Sequence, residues 1–136
     1  MTLRGRCLCG DIRYEIGSVP SSMGVCHCRD CQRLGGSAFS TMAAVPASDL
    51  TFTQGEPTYY HGGKTASGDT AEVVFCGRCG SPIYTALASQ PELVYVKTGT
   101  LDDPDWFRPQ FHVWCEHKQD WLEVAQNGGK LRETDR

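Results

Sequence analysis

The sequence predicts a mainly β protein. Short runs alternate apolar and polar residues, as IRYEI does at 12–16, and this alternation is typical of a half-buried strand. Turn-forming residues such as Gly17, Pro46 and the pair Gly62-Gly63 separate these runs. No stretch carries a long helical repeat. Several short strands with turns between them favour an all-β sandwich or a similar architecture.

Strand patterns recur along most of the chain. They cover residues 12–16, 37–45, 50–53, 72–75, 93–97 and 111–114. Short helical turns are expected near 28–35 and 103–107, and His61 is expected in a hairpin loop. The tail at 126–136 is polar and is expected to fray. The length of 136 residues predicts one domain, 1–136.

Composition and charge exclude several classes of protein. The net charge is −3 and no basic block occurs, so the electrostatic footprint of a nucleic-acid binder is absent. The opening MTLRGRCLCG has no apolar run typical of a signal peptide. No apolar segment approaches the ~18 residues of a membrane span. We expect a soluble cytoplasmic protein without nucleic-acid or membrane partners. The sequence is compatible with either a monomer or a homo-oligomer.

The cysteine count points to metal binding. Without a signal peptide, clustered cysteines favour a metal over disulfides. Seven of the eight fall in tight clusters, and the eighth stands alone. The clusters are Cys7-x-Cys9, Cys26-x-Cys28-x-x-Cys31 and Cys76-x-x-Cys79, with Cys115 apart from them.

Two of the clusters are zinc knuckles. CLCG at 7–10 and CGRCG at 76–80 each offer two thiolates, with a glycine where left-handed backbone is needed. Two plus two thiolates make a tetrahedral site. We therefore predict a structural zinc held by Cys7, Cys9, Cys76 and Cys79, which closes a long loop and stabilises the fold.

The stretch VCHCRDCQ at 25–32 supplies a cluster of three thiolates. Three protein ligands and an exchangeable fourth position are typical of a catalytic zinc. Cys26, Cys28 and Cys31 are therefore candidates for a second zinc. His27 or Asp30 inside the stretch, or the distant Cys115 or His117, could instead supply a fourth ligand and make this zinc structural. A trio without metal is a third alternative.

A sulfur-rich zinc accepts a further thiolate readily. Binding lowers the pKa of that thiol, and the thiolate is the nucleophilic form. A small-molecule thiol is thus a natural fourth ligand. Water or a carbonyl oxygen could also bind, so the residues alone do not force this choice.

Four stretches carry a recognisable family pattern: CLCGDIRY at 7–14, CHCRDCQRLGGSAFS at 26–40, FCGRCGSPIY at 75–84 and TGTLDDPDWFRPQFHVW at 98–114. They resemble the glutathione-dependent formaldehyde-activating (GFA) family, which shares its domain with centromere protein V. The resemblance covers roughly residues 5–124, with Trp121 at the family's late aromatic position. The stretch CEHKQD at 115–120 departs from the family pattern.

The resemblance implies a β-tent fold, in which small antiparallel sheets surround a structural zinc. It assigns that zinc to the two knuckles and a second zinc to the three-cysteine cluster, giving two zinc ions per chain. It implies glutathione as co-substrate. The family reaction joins glutathione and formaldehyde to S-hydroxymethylglutathione and is classed as a carbon–sulfur lyase.

Further residues near the second cluster are candidates for the site. His27 could assist proton transfer or lie exposed in its turn. Arg29 and Arg33 could bind glutathione carboxylates. Backbone amides at Gly36 and Ser37 could shape a pocket. His112, on a predicted strand, is expected to be a structurally satisfied histidine.

Two functions follow from the sequence. The first is an enzyme that activates a thiol, expected to be glutathione, for addition to formaldehyde or a related electrophile. The alternative is a non-catalytic, zinc-stabilised module that binds a thiol or a protein partner. The unassigned fourth ligand favours the enzyme, whereas the lack of an obvious general base favours the module.

Overall fold

The structure is a computed structural model that describes residues 2–65, 67–124 and 130–131. Strands dominate it, which confirms the mainly β prediction. The strands are β1 (Leu3–Arg6), β2 (Arg13–Ile16), β3 (Ser22–Cys26), β4 (Ser40–Pro46), β5 (Leu50–Gln54), β6 (Thr58–Lys64), β7 (Thr70–Phe75), β8 (Pro82–Leu87), β9 (Leu93–Lys97), β10 (Phe111–Val113) and β11 (Lys130–Leu131). The α-helix is α1 (Arg29–Gly35), and short 3-10 helices span Ala47–Asp49, Thr98–Thr100 and Cys115–His117.

The strands form two sheets. A three-stranded sheet has the order β1-β2-β5, and an eight-stranded sheet has the order β11-β10-β3-β4-β9-β8-β7-β6. Neighbours pair antiparallel except for β10, which runs parallel to both β3 and β11. The parallel pairing sets Val113 opposite Cys26 at the end of β3. The chain after residue 111 therefore packs beside the three-cysteine cluster.

Each of the six strand patterns in the sequence overlaps a strand of the structure. The patterns miss β1, β3, β6, β8 and β11, and the last of these lies in the tail that was expected to fray. His61 lies within β6, so its placement in a hairpin loop is wrong. The helical turn near 28–35 is confirmed as α1, whereas residues 103–107 form a turn closed by the Phe107 N–H to the Pro104 carbonyl at 3.0 Å. Of the tail, only residues 130–131 are described.

Alternation along the strands separates a core face from an open face. On β9, Val94 and Val96 are buried, and the intervening Tyr95 and the terminal Lys97 point the other way. The larger buried cluster lies between the two sheets around the knuckles. Its members are Cys7, Ile12, Tyr14, Ile16, Val45, Cys76, Ile83, Val94, Val96 and Leu101. No helix in the described part of the chain is long and apolar enough to cross a membrane.

Candidate functional site

The two knuckles converge into one cluster of four cysteines. The sulfur atoms of Cys7, Cys9, Cys76 and Cys79 all lie within 4.8 Å of one another. The Sγ atoms of Cys7 and Cys9 are 3.6 Å apart, and those of Cys9 and Cys76 are 3.8 Å apart. Four sulfur donors at this spacing suit a tetrahedral zinc ion.

Both knuckles are closed by a glycine in the left-handed region. Gly10 and Gly80 adopt φ of 84° and 83° and donate their N–H groups to the carbonyls of Cys7 and Cys76. In each knuckle an amide also donates to sulfur. Ile12 donates to Cys7 Sγ at 3.3 Å, and Arg78 donates to Cys76 Sγ at 3.4 Å. Amide donors favour the thiolate form that a metal requires.

Ser81 joins the two knuckles. Its hydroxyl oxygen accepts the Leu8 N–H at 2.9 Å and lies 3.2 Å from the sulfur of Cys79. This hydroxyl contact, together with backbone hydrogen bonds of Ser81 and Cys9, lowers the pKa of the Cys79 thiol to about 5. Arg78 adds a 3.2 Å ion pair with Asp11 across the surface of the cluster. The first cluster therefore fits the predicted structural zinc in donor type and in the spacing of its sulfur atoms.

The second cluster consists of Cys26, Cys28 and Cys31. Cys26 ends β3, Cys28 precedes α1, and Cys31 lies in the first turn of the helix. Their sulfur atoms lie within 4.8 Å of one another. Hydrogen bonding with Cys28 raises the pKa of Cys26, and hydrogen bonding with Cys26 and Cys28 raises that of Cys31. Three crowded thiols resist joint ionisation, so a cation such as zinc suits the space between their sulfur atoms.

The described residues give this trio no fourth ligand from a His, Cys, Asp or Glu side chain. Cys115 donates its thiol to the His112 carbonyl at 3.6 Å. The ring of the exposed His117 stacks on Trp114 with a centroid separation of 5.7 Å. Asp30, inside the stretch, also stays outside the sulfur cluster. The residues that could have closed a structural site thus lie elsewhere.

A cleft of about 1020 Å³ extends from the trio across one face of the eight-stranded sheet. Cys28 and Cys31 lie in its wall. Alternate residues of successive strands form its floor, because every second side chain of a strand faces the same side. Floor residues include Gly24, Met42, Ala44, Tyr95, Lys97 and Phe111. The trio therefore opens onto a space large enough for a small organic molecule.

Lys97 is a site residue that the sequence analysis missed. Its ammonium group donates to Ser40 Oγ at 2.8 Å, and Ser40 pairs with Cys26 in the sheet. Burial lowers the pKa of Lys97, while the nearby Cys31, Cys26 and Cys28 act in the opposite direction. The signal was present in LVYVK at 93–97, because alternation sets this lysine opposite the buried valines. What the sequence does not show is that this face is the one beside the cysteines.

The predicted glutathione contacts lie in different places. Arg33 lines the cleft. The described lining does not include Arg29, which donates to the Gln32 side chain, or Gly36, which is the left-handed C-cap of α1. Nor does it include Ser37, whose N–H donates to the Gln32 carbonyl at 3.2 Å. A glutathione contact by each of these four residues remains a prediction.

His27 is fully buried, so the expectation of an exposed turn residue is wrong. Its Nε2 lies 3.2 Å from Nδ1 of His112, and the two rings stack with centroids 5.4 Å apart. Burial, aided by the charges of His112 and Lys118, lowers the pKa of His27 to about 4. The cleft lining in the described residues does not include this ring. The contact supports the interpretation of His112 as a structurally satisfied histidine.

Gln32 holds the turn of the second cluster against the chain after β10. Its buried side chain donates from Nε2 to the carbonyls of His27 at 2.8 Å and His117 at 3.0 Å. Its Oε1 accepts a hydrogen bond from Gln119 at 3.2 Å. Sequence analysis had no signal for this role, since His117 and Gln119 are 85 and 87 positions away in the chain.

Comparison with known proteins adds a family match. The family model described as glutathione-dependent formaldehyde-activating enzyme matches residues 2–117. A Halomonas elongata protein, named as a candidate glutathione-dependent formaldehyde-activating enzyme, is 31% identical over all of this chain and 86% of its own length. An uncharacterized lyase of Schizosaccharomyces pombe is 28% identical over 60% of this chain and 56% of its own.

A solved structure also resembles the fold. The crystal structure of a Rhodobacter sphaeroides protein superposes with a TM-score of 0.58 at 27% sequence identity. The superposition covers 73% of this chain and 87% of the Rhodobacter chain. The mainly β architecture is therefore shared with a protein of known structure.

Proposed function

The chain belongs to the glutathione-dependent formaldehyde-activating family, and from that premise we propose that it adds glutathione, or a similar thiol, to formaldehyde or a related small electrophile. In this proposal Cys26, Cys28 and Cys31 hold a zinc ion at the site of addition. The reaction is of the carbon–sulfur lyase type that yields S-hydroxymethylglutathione. The first four-cysteine cluster holds a second zinc ion that stabilises the fold.

One observation carries the proposal. Three sulfur atoms converge at the wall of a cleft, and the described residues add no fourth side-chain ligand to them. A structural zinc takes four protein ligands, whereas a reactive zinc takes three and leaves one position to water or substrate. Zinc bound there would supply a Lewis-acidic centre that keeps a thiol ionised at neutral pH.

The chain's own residues bind and orient the substrates around that centre. The cleft accommodates the body of a tripeptide thiol along the sheet, and Arg33 offers a bidentate donor for one of its carboxylates. Cys26 is fully buried and Cys28 is nearly so. The surrounding protein therefore limits the access of water to these two sulfur atoms. In the described part of the chain, a substrate reaches the trio from the cleft, where Cys28 and Cys31 lie in the wall.

The test compares wild type with Cys28→Ser. Glutathione should change the zinc X-ray absorption spectrum of wild type, and the wild-type addition rate should exceed the uncatalysed rate. Cys28→Ser should lose both effects, while Cys115→Ser, outside both clusters, should retain them. Binding without rate enhancement would favour the non-catalytic thiol-binding module, and an unchanged spectrum would overturn the proposal.

A further inference from the structure

Lys97 brings a positive charge to the three-cysteine cluster. Its side chain lines the same cleft as Cys28 and Cys31. Ser40, the acceptor of its 2.8 Å hydrogen bond, is the antiparallel register partner of Cys26. Directly opposed side chains have Cβ atoms about 4.5–5.5 Å apart. The ammonium group, the serine hydroxyl and the cysteine sulfur therefore gather at one end of the cleft.

Within the described residues, no carboxylate forms an ion pair with this lysine. The ion pairs of the described residues join Arg4 to Glu15, His61 to Glu72 and Arg78 to Asp11, and none includes Lys97. A partly buried ammonium group without a counter-ion is costly unless an anion is present during function. The anionic groups expected nearby are the thiolates of the trio and the substrates bound beside them.

Addition of a thiolate to a carbonyl group creates such an anion. The electron pair of sulfur forms the new S–C bond, and the π pair of the C=O bond moves onto oxygen. That oxygen must then be stabilised and protonated. Groups fixed in advance around developing charge are typically the largest single contribution to rate.

We propose that Lys97 is a catalytic residue whose ammonium group binds the carbonyl oxygen of the electrophile and donates the proton that turns it into a hydroxyl group. This role rests on the proposed function, and it identifies Lys97 as the general acid of the proposed addition reaction. The lysine amine regains a proton from the thiol group of the next glutathione. Over one cycle the thiol proton thus ends on the product hydroxyl, and neither oxidant nor reductant is needed.

Two features of the side chain suit this role. The hydrogen bond to Ser40 fixes the direction of the ammonium group and leaves two of its three N–H donors for a ligand. Burial also lowers the pKa of Lys97, against the opposite effect of the nearby cysteines, and a less basic amine is a better proton donor. The role answers the lack of an evident acid–base residue in the sequence.

The experiment uses zinc-loaded protein and three variants. Lys97→Met removes the charge at similar length, and Lys97→Arg keeps charge and donors but does not release a proton. Arg4→Met is the control for loss of a positive charge, since Arg4 lies on β1 of the three-stranded sheet and the described lining of the cleft does not include it. Zinc content and melting temperature are measured for each.

Kinetics and binding are then read separately. Lys97→Met should lower kcat by roughly 10²-fold or more while KM for glutathione changes by less than about threefold. Calorimetry compares S-(2-hydroxyethyl)glutathione with S-propylglutathione, two ligands of similar size that differ in one oxygen. Wild type should prefer the hydroxyl ligand, Lys97→Met should lose the preference, and Lys97→Arg should keep it with a lowered kcat. Arg4→Met should match wild type throughout.

The kinetic results distinguish failure of the proposed function from failure of the role of Lys97. A wild-type rate no higher than the uncatalysed rate overturns the proposed function and the role of Lys97 with it. A catalysed rate that Lys97→Met leaves within twofold overturns the role of Lys97 alone. Loss of zinc or of folding in Lys97→Met, with Lys97→Arg retaining the full wild-type kcat, also overturns proton donation, because arginine would not replace a proton donor.

Discussion

The backbone N–H of Cys31 donates a 3.3 Å hydrogen bond to the sulfur of Cys28, so one member of the trio is also the N-cap of helix α1. Metal binding and helix capping thus share one side chain. Serine is among the preferred N-cap residues, whereas alanine is not. The choice of substitution at this position therefore decides which role is removed.

Cys28→Ser is expected to lose the second zinc while the fold survives. The trio spans one local turn and closes no long loop, and the serine hydroxyl can still accept the Cys31 N–H. Cys28→Ala should lose the same zinc and in addition about 0.5–2 kcal/mol of stability from the lost cap. Zinc per chain and urea unfolding check both expectations. Global unfolding of Cys28→Ser would show instead that the second zinc is structural.

Cys79→Ser is expected to lose the tightly bound zinc and cooperative unfolding. The four-cysteine cluster joins Cys9 to Cys76 across 67 positions, and structural zinc contributes on the order of 10 kcal/mol in small domains. Cys115→Ser is the control, because that thiol lies outside both clusters. Metal analysis and calorimetric melting provide the readout. A Cys79→Ser protein that melts like wild type with full zinc content would contradict the structural assignment.

The spacing of cysteines and glycines in the sequence was enough to predict the features that depend on a single tight turn. The knuckles at 7–10 and 76–80 need only a tight turn, a glycine and two sulfurs, so the sequence was sufficient to find them. The same holds for α1, whose start follows from the cysteine turn. The convergence of the two knuckles also followed, since a tetrahedral ion needs four donors.

The features that the sequence analysis missed depend on which strands pair in the folded protein. The burial of His27 depends on the parallel strand β10, which places His112 against it. Lys97 belongs to the site because β9 and β3 both flank β4, a strand order that no local pattern contains. Strand β3 itself was missed because Gly24 interrupts its apolar run. These residues took their roles from neighbours that are distant in the chain.

Gln32→Leu is expected to destabilise the protein. The substitution leaves the carbonyls of His27 and His117 without their donor, and a buried polar group left unpaired costs about 1–3 kcal/mol. The free energy of unfolding should fall by about 2–4 kcal/mol for the two carbonyls together. The value lies below the maximum for two buried groups because His117 is exposed, so water can reach its carbonyl. Urea unfolding compares it with Arg33→Leu, the adjacent helix position, which should change stability by less than about 0.5 kcal/mol. Equal stability of the two variants would contradict this role of Gln32.

Gly24→Ala and Gly35→Ala should change stability in opposite directions. A Cβ at Gly24 would lie 2.3 Å from Cε2 of Phe111, so the ring, which packs against the second cluster, has to move. Overpacking of this kind costs about 1–3 kcal/mol.

A Cβ at Gly35 meets no atom within 4 Å, and this residue lies in the last turn of α1 without a positive φ. Alanine there should add about 0.4–1 kcal/mol by restricting the unfolded chain and favouring the helix. Chemical unfolding of both variants checks the pair, and a Gly24→Ala protein as stable as wild type would show that Phe111 does not need the space above residue 24.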